Sequence, residues 1–134
     1  KKVSPTSIYS ECQFDRTNVR LEGTFQKIKG DLVDYEAVDG RMITIYSLTP
    51  EGFIKEKIHA YLNRRKIRDL YDIFFLLKLV RSLSILEQEI PVLLEKYMPP
   101  LDEPDLKTLI LEGIVPTSEE MIVYIRRTWE RRST

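Results

Sequence analysis

Two patterns of apolar and polar positions divide the chain. β-Branched and aromatic residues cluster in Val19-Leu21-Thr24-Phe25-Ile28 and again in Met42-Ile43-Thr44-Ile45-Tyr46, bounded by Gly23, Gly30 and Asp39-Gly40. Such stretches predict strands near 18–29, 32–38 and 41–48, with Asp39-Gly40 as a tight turn. At Thr49-Pro50-Glu51 the spacing becomes helical: Thr49 can cap a helix, Pro50 suits its first position and Glu51 complements its positive end. Helices are predicted over 50–62, 67–81, 85–97, 105–112 and 118–131, broken by Met98-Pro99-Pro100 and by residues 113–116. Thr117 or Ser118 followed by Glu119 and Glu120 reads as a capping box for the last helix. The expected class is α+β: a short antiparallel meander of about three strands, then a bundle of about five helices. No repeat, low-complexity tract or flexible linker divides it, so residues 1–134 read as a single domain, 1–48 as sheet and 49–134 as its helical, ligand-gripping part.

The hydrophobic share of 43% and charged share of 31% are those of a packed globular chain. Lys plus Arg and Asp plus Glu number 21 each, so no global field draws the protein to a polyanion, and any such ligand must meet a local patch. Cys12 is alone, which excludes an intramolecular disulfide and a cysteine-based metal site. With no apolar run of about 18 residues and no signal-peptide core, the expected location is cytoplasmic, without membrane insertion.

One charged stretch stands apart. Taking Lys57 as zero and about 100° per residue, Tyr61, Arg64, Arg68 and Asp72 would share one stripe of a continuous helix. Lys66, however, would fall near 180°, in the middle of the apolar face formed by Leu62, Leu70, Ile73 and Leu77, where an unpaired ammonium is costly. The pattern therefore predicts a break around 63–66, with two helices meeting at an angle and basic residues gathered at the junction, an arrangement suited to phosphate. In the second helix Asp69 complements the dipole, and Arg68 and Asp72, four apart, can pair. The plainer reading is a structural ion network of Arg68, Asp69 and Asp72 with Lys57 solvated.

The order Leu48-Thr49-Pro50-Glu51, Glu56-Lys57, Arg65, then Arg68-Asp69-Leu70-Tyr71-Asp72 resembles the signature of the AbiEii/AbiGii nucleotidyltransferase toxins, within the polymerase-beta-like nucleotidyltransferase superfamily. The likeness covers about 18–77 and is specific over 48–77. It implies transfer of a nucleotide from a nucleoside triphosphate to an acceptor such as tRNA or another RNA, in a toxin or viral-defence role beside a cognate antitoxin. It implies that Lys57 contacts phosphates, that Arg68, Asp69 and Asp72 line or brace the nucleotide site, and that Arg65 is the loop arginine with Arg64 as its substitute. Lys57, Asp69 and Asp72 are thus the expected catalytic group, and Lys57, Arg64, Arg65 and Arg68 the phosphate binders.

The departure from the family pattern is a missing Gly-Ser or Gly-Gly-Thr turn with a downstream Asp-x-Asp or Asp-x-Glu, whose carboxylates hold the divalent ions of the reaction. Asp31 and Asp34 have the wrong spacing, and Asp15 is alone. Residues 1–48 then read as the remnant of the family's sheet, with the metal-binding segment expected upstream and Glu22 as a third sheet carboxylate. Mg2+ and a nucleoside triphosphate are expected for the full-length protein, and neither for this chain alone, which should be inactive. A strand edge left open would invite a sheet-edge homodimer. The rival function is a non-catalytic module binding nucleic acid or an acidic protein segment through the same junction.

His59 falls about 200° from Lys57 and reads as a packing or surface residue, and Cys12 lacks a basic partner. Tyr124 and Trp129 with Arg126, Arg127, Arg131 and Arg132 could face RNA, but Met121, Ile122, Ile125 and Trp129 follow helical periodicity and are expected to pack inward instead.

Overall fold

The computed structural model describes residues 1–80 and 82–131. Five strands precede five helices, as the α+β expectation requires: β1 (Lys2–Val3), β2 (Ser7–Phe14), β3 (Thr17–Thr24), β4 (Asp31–Glu36), β5 (Met42–Ser47), α1 (Pro50–Arg64), α2 (Ile67–Leu76), α3 (Glu89–Lys96), α4 (Leu106–Leu109) and α5 (Ser118–Glu130). Short 3-10 turns at Leu83–Leu86 and Glu103–Asp105 lead into α3 and α4.

The strands form two antiparallel sheets, a three-stranded meander β1-β2-β3 and the pair β4-β5. The strands expected over 32–38 and 41–48 are β4 and β5, and their turn rests on Gly40, whose φ of 80° suits glycine. The strand expected over 18–29 stops at Thr24, and its partner is β2, which had no counterpart in the predicted elements. The β2–β3 turn is Asp15-Arg16, with Asp15 at φ 52°, a conformation that aspartate tolerates among non-glycine residues. Gly30, at the entry to β4, lies so close to the end of β5 that an added Cβ would sit 2.2 Å from the Ser47 carbonyl oxygen.

Thr49 caps α1, its Oγ1 accepting from the Gly52 amide at 3.2 Å. Ile54, Ile58 and Tyr61, spaced i, i+4, i+7, form the buried face. The helix ends where Arg65 turns left-handed at φ 51°, ψ 44°, and Lys66 is extended just before α2, so the break expected over 63–66 is present. The helix expected over 67–81 ends at Leu76, and Arg81 lies outside the described residues. The helix expected from 85 starts at Glu89, because Pro91 has no N–H to donate to residue 87 and fits only a first turn. The helix expected over 105–112 is a single turn.

In α5 the capping box is complete: Glu120 Nα donates to Thr117 Oγ1 at 3.2 Å, and the Thr117 amide donates to Glu120 Oε2 at 2.8 Å. Those hydrogen bonds, first the backbone one from Thr117 and then its hydroxyl, hold the Glu120 carboxyl below its ordinary value of 4.5. A depressed folded-state value stabilises above the ordinary glutamate range and is lost as pH falls through it. Acid titration followed by circular dichroism should therefore show α5 weakening below about pH 4.5, and Glu120→Ala should remove that contribution to the acid limb.

The fully buried residues begin at Ile54 and come from the helical half, where Ile67, Leu70, Ile73, Leu86, Ile90, Leu93, Leu106, Met121 and Ile125 join those of α1. No residue of 1–48 is buried.

Candidate functional site

The left-handed turn at Arg65 lays the first turns of α2 beside the last turns of α1. Lys57 and Arg64, seven residues apart, share one face of α1. Asp69 and Asp72 come from α2. Arg64 grips Asp69 with both arms of its guanidinium, Nε to Oδ2 at 2.7 Å and Nη2 to Oδ1 at 2.8 Å. Lys57 Nζ reaches Asp72 Oδ2 at 2.5 Å and Asp69 Oδ1 at 3.6 Å. The Asp69 carboxylate is 0% exposed, so its charge is tolerable only because two cations meet it. Its hydrogen bond in turn holds the Arg64 guanidinium above its ordinary pKa.

Lys57 and Arg64, together with Phe53 and Glu56, form one wall of an open cleft of about 900 Å³ between α1 and the β2–β3 hairpin. Tyr9 and Glu22, directly opposite each other in the β2–β3 register, line the other wall. Glu22 is exposed and lies 3.7 Å from Arg20, and the Tyr9 hydroxyl donates to Glu11, which raises the Tyr9 pKa. Tyr9 was not among the residues that sequence reasoning singled out; it would have required recognising β2.

The structure thus brings Lys57, Arg64, Asp69, Asp72 and Glu22 to one region. Two other expected residues lie elsewhere. Arg65 donates through Nε to the Pro99 carbonyl at 2.9 Å, and also through Nη2. Leu101 Nα donates to the Arg65 carbonyl at 3.0 Å, Asp102 accepts from the Ile67 amide at 2.8 Å and its other oxygen meets Lys66 at 3.3 Å. Arg65 and Lys66 therefore bind residues 99–102 to the helix junction. Arg68 is exposed and has no ion pair among the described residues, because Asp72, its expected partner, turns to Lys57. Tyr61, expected on the cationic stripe, is instead fully buried beside Ile54 and Ile58, since the break frees α1 to turn that face inward. The plainer reading of a structural network is half met, with Lys57 inside it and Arg68 outside it.

His59 is exposed and Cys12 is exposed and free. Met121, Ile122 and Ile125 pack inward as expected, Trp129 is partly buried against them, and Arg132 lies outside the described residues.

The described residues do not fit a Mg2+ ion: no group of three acidic, histidine or cysteine side chains could hold one, and both Asp69 oxygens are occupied by Arg64 and Lys57. No helix among them is long and apolar enough to cross a membrane.

Neither a curated protein nor a solved structure matches the chain. A family model described as the nucleotidyl transferase AbiEii toxin of a Type IV toxin–antitoxin system matches residues 15–126, which takes in the β3 strand, the α1 wall of the cleft and most of α5. The chain belongs to this AbiEii nucleotidyl transferase toxin family.

Proposed function

We propose that the cleft receives the phosphates of a nucleoside triphosphate during nucleotide transfer to an acceptor such as tRNA or another RNA, in a toxin or defence role. The observation behind this reading is that Lys57 and Arg64 line the same cleft as Glu22 while buried Asp69 fixes both cations. Lys57 neutralises phosphate charge, using the ammonium hydrogens that Asp69 and Asp72 leave free. Arg64 presents a second cationic edge, and Asp69 and Asp72 position the pair. Arg68, exposed in the first turn of α2, lies outside the cleft lining, while Arg65 supports the junction through Pro99. The open strand edges of β3, β4 and β5 suit pairing with a strand of an antitoxin or of a second copy. The chemistry of transfer needs divalent metal that other groups must hold, so the roles assigned here are binding and orientation.

Titration with a fluorescent nucleoside triphosphate tests this. Lys57→Ala should weaken binding about tenfold to a hundredfold, as loss of one charge-assisted contact does, with the fold retained by circular dichroism. Unchanged affinity in that variant would overturn the reading.

A second reading, a non-catalytic module, draws on the balance of charge in the network. Lys57 and Arg64 are matched by Asp69 and Asp72, so the network is neutral overall. Under that reading the wild-type chain shows no saturable nucleotide binding in the same titration.

A further inference from the structure

Where α2 meets α5, four aromatic rings touch in series. Phe74 meets Tyr124 edge-on at 5.0 Å between centroids, Tyr71 lies 6.2 Å from Phe74, and Tyr71 stacks on Phe75 at 6.3 Å and 21°. The Lys78 ammonium sits over Phe74 at 4.1 Å, with Phe75 and Tyr124 within 6.0 Å. Tyr71, Phe74 and Tyr124 are partly buried against the core, whereas Phe75 stands outside it at the end of the series. Phe75 is 48% exposed and so offers a free ring face.

Three cations flank these rings in sequence: Arg68, Lys78 and Arg127. Arg68 precedes Tyr71 by three residues and Arg127 follows Tyr124 by three, which places each on the helix face of its ring. Arg68, Lys78 and Arg127 have no carboxylate partner among the described residues. The acidic groups nearest in sequence are committed elsewhere, Asp72 to Lys57 and Glu120 to the Thr117 cap. Glu119 and Glu130 lie more than about 100° around α5 from Tyr124.

We infer that the α2–α5 seam binds single-stranded nucleic acid, with bases stacked on Phe75 beside Tyr71 and phosphates met by Arg68, Lys78 and Arg127. Rings with an accessible face, interleaved with unpaired cations, match a chain that carries flat bases at intervals along an anionic backbone. A duplex hides its base faces, and an acidic peptide would use the cations but leave the rings without a partner. The seam is separate from the cleft and needs no nucleotide chemistry.

Fluorescence anisotropy with short labelled oligouridylate and oligothymidylate, in the absence of nucleoside triphosphate, tests this without bearing on the cleft. Phe75→Ala should weaken binding about tenfold, Phe75→Trp should preserve it, and Arg127→Ala should lower the slope of log affinity against log salt by about one. Similar affinities for the two oligomers indicate stacking alone; a preference for the ribose strand adds a 2′-hydroxyl contact. Equal affinity for a duplex of the same length, or displacement by a glutamate peptide at matched charge, would overturn the proposal. If Phe75→Ala disturbs the fold, Phe75→Trp and Arg127→Ala decide: loss of binding in the first, or an unchanged salt slope in the second, overturns it as well.

Discussion

Tyr61→Ala should lower the stability of the protein by about 3–5 kcal/mol, the usual range for deleting a buried aromatic side chain. Against a typical total of about 5–15 kcal/mol, that leaves the fold marginal at best. Tyr61 is fully buried, yet its importance is more than area. Its ring stacks on Tyr97 at 6.1 Å and its hydroxyl donates to the Met98 carbonyl at 2.7 Å. Burial, with Tyr97 beside it, pushes the hydroxyl's pKa up, so it stays a neutral donor. Removing the ring therefore opens a cavity beneath the helix break and releases residues 97–98 together. Tyr61→Phe isolates the hydroxyl and should cost about 1 kcal/mol. Urea denaturation of both variants checks the pair, and equal midpoints for the two would contradict this account.

Arg64→Ala should destabilise by about 3 kcal/mol, a fall in Tm of about 10 °C for a chain of this size. It leaves the Asp69 carboxylate, wholly removed from water, with only Lys57 at 3.6 Å. The figure lies at the low end for breaking a buried pair because Arg64 itself is 46% exposed. Arg64→Lys should fall between, since an ammonium cannot reproduce the two-armed grip. The double variant Arg64→Ala with Asp69→Ala should be no less stable than Arg64→Ala alone, because the stranded charge disappears with it. Thermal melting of these three variants and of Asp69→Ala decides, and strictly additive losses would show that the two groups do not interact.

Much of the helical half was legible in the residues because its signals are local. Thr49-Pro50-Glu51 and Thr117-Ser118-Glu119-Glu120 name their own helix starts, and the misplaced Lys66 betrayed the break before α2. Strand β2 was not legible, since Ser7–Phe14 mixes Ser, Glu, Cys and Gln with its apolar residues and its Asp15-Arg16 turn lacks glycine. Ion pairing was half legible for a related reason. The pair Arg68–Asp72 satisfies the i, i+4 rule within one helix, but Lys57 crosses from α1 and takes Asp72. The hold of Arg65 and Lys66 on residues 99–102 spans more than thirty positions, and nothing in either segment announces the other. Family likeness pointed to Lys57 and Asp69 as a unit, and geometry adds Arg64, the second cation on the same carboxylate.

The absence of any buried side chain before Ile54 separates two requirements that most small proteins must meet with the same residues. Holding the fold together falls to the helices, whereas Tyr9 and Glu22 face the cleft from a hairpin that contributes nothing to the interior. Under the proposed reading, ligand preference on that wall can therefore be retuned at the exposed Glu22 with little risk of unfolding, because exchanges at exposed positions seldom change stability by more than about 0.5 kcal/mol.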